Sequence, residues 1–193
     1  MKFPEEICAD GLRLRPLRVS DAREVFEGWT RHPKASLYIQ WKAHHTLAET
    51  EEFLKECERL HGSGKKGFYL VSLGPAQASA GALSLKPESA EAAMIGFLIF
   101  PAFQRQGIAG KAVAAAMRWL LNQPGMQRVF AWCDVDNAAS QKVMERVGMK
   151  REQRLPRHGI HPNLSDEPRD LYLYAMEKRP QGAREASGAS PAL

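Results

Sequence analysis

The stretch Pro101-Ala-Phe-Gln-Arg-Gln-Gly-Ile-Ala-Gly-Lys111 joins two glycines and two cations where an apolar strand pattern gives way to a helical one. At Gly107 and Gly110 the missing side chain lets backbone N–H groups approach a ligand closely. The first N–H groups of a helix have no partner inside it, and the helix dipole adds positive potential. Such a turn suits a pyrophosphate, and Arg105 and Lys111 add charge. Two common phosphate loops are excluded by spacing. A Walker-type loop needs Gly five residues before its Gly-Lys pair and Ser or Thr after it, but Arg105 and Ala112 stand there. A G-x-G-x-x-G dinucleotide fingerprint needs glycine at the position of Arg105.

A second polar group follows the next strand pattern: Asp136-Asn137-Ala-Ala-Ser140, opening a short helix that Val147-Gly148-Met149 closes. Asn137 and Ser140 are good helix caps, a role compatible with contacting a ligand at the same helix end. Other chemistry-bearing residues lack a supporting pattern. Cys8, Cys57 and Cys133 are odd in number and unpaired in spacing, so neither a disulfide framework nor a zinc site is expected. His158 and His161 have ligand-like spacing, but no Cys or acid motif accompanies them, so no metal is expected.

The elements that must position these groups follow from periodicity. Residues 12–18 alternate apolar and basic as a strand does. Asp21 with Glu24 resembles a capping box for a helix ending near Arg31, before Pro33. Thr46 with Glu49 opens a helix over 47–61 that stops at Gly62. Residues 67–73, 79–86 and 93–100 predict an antiparallel meander of three strands. A helix buried on more than one side spans 107–122. Residues 128–135 are apolar on both faces, as a central strand is. Residues 138–147 predict a helix, and 149–155 and 170–177 two closing strands. Residues 156–168, with Pro156, Pro162 and Pro168, read as a loop, and the small, polar residues after Pro180 read as a disordered tail.

Strand 93–100, helix 107–122 and strand 128–135 form a βαβ unit. Its right-handed crossover makes the two strands parallel, so that their C-terminal ends share one sheet edge. Asn137 and Ser140 then lie beside the glycine loop, where such sheets bind ligands.

The 193 residues, 44% hydrophobic and 25% charged, correspond to one globular domain with one sizeable core. No apolar run approaches the roughly 18 residues of a membrane span. The N-terminal residues carry acids where a signal peptide is apolar, so a cytoplasmic protein is expected. The net charge of +5 is that of a solvated basic surface or of an anion-binding patch. No interleaving of aromatic and basic residues of the RNA-binding kind accompanies it, and no nucleic-acid partner is expected.

Gln104-x-x-Gly107-x-Ala109, with Pro101 three residues earlier, resembles the acetyl-CoA signature of the GNAT superfamily of N-acetyltransferases. Asp136-Asn137-Ala-Ala-Ser140 followed by Val147-Gly148-Met149 resembles a second segment of that family. Residues 12–22 (LRLRPLRVSDA) and Asp170-Leu-Tyr-Leu-Tyr174 resemble the first and last strands of its Rim-type branch, the ribosomal-protein N-terminal acetyltransferases. The resemblance spans about residues 12–177.

It implies an α/β (α+β) fold: a single GNAT-like domain over 1–178, with 179–193 as tail. Flanking helices would cover a central mixed, mostly antiparallel sheet that contains a βαβ acetyl-CoA-binding unit. It further implies acetyl-CoA as co-substrate, held by Phe100, Gln104, Arg105, Gln106, Gly107, Ile108, Ala109, Gly110, Lys111, Asn137 and Ser140. The acceptor would be a primary amine, either a protein N-terminus or a small molecule such as an aminoglycoside, polyamine or amino acid, and the chain a monomer or homodimer. Trp29, Tyr38 and Trp41 lie in the region that covers the acceptor in this family.

The reaction would be direct attack of a neutral amine on the thioester, with Ser140 or Tyr174 (or Tyr172) protonating the leaving thiolate. The family often has an acid just before the Ile-Gly pair of its central strand, whereas here Met94 precedes Ile95-Gly96. The sequence therefore names no base: Asp134, Glu91 and the His44-His45 pair have no positional support. A catalytically silent acyl-CoA-binding protein of the same fold is the alternative.

Overall fold

The computed structural model describes residues 1–9, 11–74 and 78–178; the expected tail after residue 178 lies outside them. Among the described residues eight strands form one sheet in the order β1-β2-β3-β4-β5-β6-β8-β7. They are β1 (Ile7–Ala9), β2 (Leu12–Pro16), β3 (Gly67–Leu73), β4 (Ala78–Pro87), β5 (Ala92–Ile99), β6 (Arg128–Asp134), β7 (Lys150–His161) and β8 (Ser165–Glu177). The helices are α1 (Ala22–Val25), α2 (Leu47–Gly62), α3 (Ile108–Leu121) and α4 (Ala138–Arg146). Among the described residues, no helix is long and apolar enough to cross a membrane.

The meander β3–β4–β5 forms because each strand is apolar on both faces and the sheet is covered on both. Tyr69 and Val71 of β3 point into the cluster beneath α3, with Leu83, Ile95, Val113 and Leu120. Phe68 and Leu70 point the other way, to Leu17, Val25, Trp29 and Leu54 under α1 and α2. Period-2 alternation thus yields unbroken burial in a strand sandwiched between layers. The Thr46 hydroxyl accepts from Glu49 N–H at 3.3 Å and starts α2. Gly148, at φ 87°, ends α4 in the left-handed region that a glycine tolerates best.

All neighbouring strands are antiparallel except β5 and β6, which run parallel as the crossover rule requires. That pair is joined only at Ala92↔Arg128, Ala93↔Val129 and Met94↔Phe130. Beyond Met94 the two strands part, β5 continuing to Ile99 beside β4 and β6 to Asp134 beside β8. The sheet is split at its centre, and the split opens toward the C-terminal ends of both strands.

Two local expectations are corrected. Asp21 does not open a helix toward Glu24. It accepts Arg18 N–H at 2.8 Å and pairs with Arg15 through two contacts of 2.8 Å, closing the preceding turn instead. The helix after it is tight at Val19–Asp21, α-helical at Ala22–Val25 and widened to a π-turn at Phe26–Thr30. Residues 156–168 are not a loop but the distal half of the β7–β8 hairpin. Proline is tolerated there because β7 is an edge strand and Pro156 falls where the register slips between Leu155 and Gly159. Pro168 lies past Leu171, the last β8 residue paired to β6, so its missing N–H costs the sheet nothing on that side. Strand β1 carries too short a pattern to be read from sequence.

Candidate acetyl-CoA and acceptor site

The glycine loop follows β5 through a short helical turn, Pro101–Phe103. Gln104 secures it: its side-chain Nε2 donates to the Ile99 carbonyl at 3.1 Å, folding the loop back on the strand it left. Gly107 caps α3 at φ 76°, which explains a glycine there. Arg105 is also left-handed, at φ 64°, a conformation costly for a residue with a Cβ. Side chains built on Gly107 or Gly110 would meet no atom of the described residues within 4 Å, so the open face of the loop has room for a ligand.

The loop forms one end of a cavity of about 1000 Å³ that fills the split between β5 and β6. Gln104, Arg105, Gly107, Ile108, Ala109, Gly110, Asn137 and Ser140 all line it, so eight residues expected at the cofactor meet in one space. Three others do not reach it. Phe100 is buried in the second core layer, its ring 6.4 Å from that of Trp29 and against Gly28. Gln106 and Lys111 point to solvent, because the buried face of α3 is set by Ile108 and Ala112. In their place α4 presents Lys142 and Arg146, one turn apart on its cavity-facing side. That i, i+4 pair after Asn137 and Ser140 was legible in the sequence. With Lys34, Lys66 and Arg105 they make five cations against one carboxylate, Asp134, among the described residues lining the cavity. A polyanionic ligand fits this balance.

Asn137 caps α4, its Oδ1 accepting Ser140 N–H at 3.1 Å. The capping donor is the backbone of Ser140, which leaves the Ser140 hydroxyl to the cavity. Tyr174 is placed elsewhere. It is fully buried and donates its hydroxyl to Glu145 Oε1 at 3.0 Å, outside the cavity lining. Burial and that carboxylate push its pKa up to about 12. The geometry therefore corrects the expectation that Tyr174 protonates the thiolate. Tyr172 does not line the cavity either, and Arg151 lies over its ring at 4.6 Å.

The opposite end of the cavity is aromatic. Trp29 and Trp41 meet edge to face at 5.9 Å, and Phe53 stacks on Trp41 at 5.3 Å. Both tryptophans line the cavity, and among the described residues neither indole N–H has a hydrogen-bond partner. Buried indoles usually find one, so these are unused donors in the wall of the cavity. The segment carrying Tyr38 and Trp41 is fixed by the β7–β8 turn: Asn163 donates to the Ser36 and Trp41 carbonyls at 2.7 and 2.8 Å and accepts from Ala43 N–H at 2.8 Å.

Met94, Cys133, Asp134 and His161 also line the cavity. Met94 cannot take a proton. Burial pushes the Cys133 thiol up to about 12, so it stays protonated and is a poor nucleophile at neutral pH. Asp134 is fully buried, and Arg169 holds its carboxylate through contacts of 2.6 and 3.1 Å. Burial alone would raise its pKa, but Arg169 and the Asp136 N–H outweigh burial and keep it below the ordinary value. His161, 4% exposed, has its Nε2 3.5 Å from Asp134 Oδ2. Sequence reasoning weighed His161 only as a metal ligand. Its neighbours come from β6 and β8, and no short-range pattern links them. Of the bases considered from sequence, Asp134 lines the cavity, but His44 bonds Thr50 Oγ1 at 2.8 Å, and His45 and Glu91 are exposed. Among the described residues no cluster of metal-binding side chains is present.

A model of the acetyltransferase (GNAT) domain matches residues 11–150. The uncharacterized N-acetyltransferase YnaD of Bacillus subtilis (strain 168) is 33% identical over 58 residues, 30% of this chain, and the match spans only 34% of that relative's length. RimL, a ribosomal L7/L12 alpha-N-protein acetyltransferase solved in complex with coenzyme A, superposes with a TM-score of 0.80. The match is 24% identical and covers 90% of this chain and 98% of that one. A GNAT-family acetyltransferase from Bacillus anthracis superposes with a TM-score of 0.77 at 25% identity, over 89% of this chain and 98% of the other. The split sheet, the glycine loop at its mouth and a family match over residues 11–150 agree: this chain belongs to the GNAT acetyltransferase family.

Proposed function

We propose that the chain transfers the acetyl group of acetyl-CoA to a weakly basic primary amine, with the α-amine of a peptide or protein as the leading acceptor class. The observation that carries this reading is the single cavity with two unlike ends. Its cationic end holds the glycine loop and the α4 cations, and its aromatic end holds Trp29, Tyr38 and Trp41. Phosphates suit the first and an uncharged amine with its flanking groups the second. The split between β5 and β6 joins them, so donor and acceptor share one cavity. Holding two reactants in that geometry supplies several kcal/mol of the barrier reduction.

Amine basicity favours the α-amine. An α-amine near 7.7–8.0 is roughly a tenth neutral at pH 7, whereas a lysine near 10.4 is neutral in less than about one part in a thousand. RimL, whose fold this chain shares, is described as acting on an α-amine. Direct attack is favoured over an acyl-cysteine route, because the buried Cys133 stays protonated. In this reading the chain works in the cytoplasm, where its donor is made.

The test is a thermal melt with acetyl-CoA, CoA, ATP and NAD, followed by thiol release with a panel of short peptides, spermidine and an aminoglycoside. Acetyl-CoA at about 100 times its Kd should stabilise the fold by about 2.7 kcal/mol, and ATP and NAD should not. A peptide should then release thiol above the hydrolysis background. Tight acetyl-CoA binding with no release from any amine would instead mark a silent acyl-CoA-binding protein.

A further inference from the structure

His161 is the last residue of β7, where the hairpin turns, and it is placed by contacts from three separate elements. Tyr38, from the segment over the acceptor end, meets the His161 ring edge to face at 5.8 Å. Asp134, the last residue of β6, lies 3.5 Å from Nε2. Arg169 of β8 holds Asp134 and also reaches Asp136, so the carboxylate beside the histidine is fixed in position. The ring is nine-tenths buried in the cavity wall, and among the described residues neither nitrogen, both closed to solvent, has a hydrogen-bond partner of normal geometry. Buried polar groups are nearly always satisfied, so an orphaned imidazole in the wall of a substrate-sized space is free to pair with a bound group.

Resting on the acetyltransferase reading above, we propose that His161 is the proton acceptor of the reaction and Asp134 the residue that positions it. With the Nε2 proton toward Asp134, the lone pair of a neutral ring is on Nδ1. The amine nitrogen attacks the thioester carbonyl and forms the C–N bond. Nδ1 takes the N–H proton, directly or through one water. The C–S bond breaks, and the thiolate takes a proton from solvent by way of the Ser140 hydroxyl.

The protonation state agrees with the geometry. Burial pushes the His161 pKa down, and Arg169 adds to this. Asp134 and the Ile39 backbone oppose it without cancelling it. The ring is thus neutral and able to accept a proton at pH 7. Asp134 answers the charge that appears on the ring in the transition state, as the orienting carboxylate of other base–acid pairs does.

The experiment compares kcat/KM against pH for the wild type, His161→Gln and Asp134→Asn. The acceptors are two short peptides whose α-amine pKa values differ by about one unit. The wild type should show a break on the acid side, below the ordinary histidine value of about 6.5, at the same pH for both peptides. In His161→Gln the break should vanish and kcat fall by about 100-fold or more, with acetyl-CoA affinity unchanged within about twofold. In Asp134→Asn the break should move to lower pH, because the group that stabilises the charged ring is lost. An NMR titration of the His161 imidazole in the unaltered protein should give the same pKa as the kinetic break, which keeps the test sound even if a variant folds poorly.

A wild-type profile that follows only the amine of each peptide, or a His161→Gln enzyme with normal kcat, overturns the assignment and leaves the acetyltransferase reading standing. An NMR pKa unrelated to the break does the same. Failure of every peptide to release thiol overturns that reading and this inference with it.

Discussion

Asn163 holds the backbone of Trp41 from 122 positions away in the chain, its Nδ2 donating to the Trp41 carbonyl at 2.8 Å. The same amide reaches Ser36 and Ala43, so one side chain at a hairpin turn sets the whole segment over the acceptor end. Asn163→Ala should lower stability by about 2–4 kcal/mol, since two carbonyls and one N–H lose their partner. It should raise the acceptor KM several-fold and leave acetyl-CoA affinity within about twofold. Urea melts and calorimetry with acetyl-CoA check both; an unchanged acceptor KM would separate Asn163 from the acceptor site.

Gly110 tests the phosphate end. It lies in the first turn of α3 with no atom of the described residues within 4 Å of a built Cβ, so Gly110→Glu is sterically free and favourable to helix propensity. The fold should persist while acetyl-CoA affinity falls more than tenfold, about 1.4 kcal/mol, because a carboxylate enters the phosphate space. Gly107 is a poorer probe: at φ 76° any side chain adds strain of about 1–2 kcal/mol that would blur the reading. Normal acetyl-CoA binding by a folded Gly110→Glu protein would move the phosphates away from α3.

Ser140 and Tyr174 should separate cleanly. The α4 cap uses the Ser140 backbone and the Asn137 side chain, both retained in Ser140→Ala, so that variant should keep its Tm while kcat drops. Tyr174→Phe removes only the hydrogen bond to Glu145, at a cost of about 1 kcal/mol, and should leave kcat alone. A tenfold loss of kcat in Tyr174→Phe at unchanged Tm would restore the tyrosine to the chemistry.

Stability should fall as the solution is acidified below about pH 6.5. His44, His61 and His161 all have pKa values lowered chiefly by burial. A group depressed on folding binds its proton more readily in the unfolded chain, so protonation favours unfolding. The loss begins near the unfolded value of about 6.5 and continues down to the folded pKa of each ring. His61 sits between Phe3 and Tyr69, with ring centroids at 5.4 and 5.3 Å, so His61→Phe keeps the packing and removes one titration. Melts of the two proteins from pH 7 to 5 should diverge, the variant falling less steeply. Parallel curves would mean that His61 does not contribute.

Local chemistry determined much of this protein from sequence alone. The central strands, α2, α3, α4 and the glycine loop are each specified by residues within a few positions of one another: the Thr46 cap, the alternation of β3, the left-handed Gly107 and Gly148. The parallel β5–β6 pair followed from the handedness of a single crossover, and with it the meeting of Gly107, Asn137 and Ser140. What only the tertiary structure decided depends on partners far apart in the chain. The β7–β8 hairpin carries three prolines and a slipped register, so its alternation is broken and its strand character comes from pairing rather than from pattern. Met94 marked only where an acid was missing. The substitute, His161, becomes a candidate base because β6 and β8 bring Asp134 and Arg169 to it, and pairing across a sheet leaves no trace in the spacing of the residues it joins.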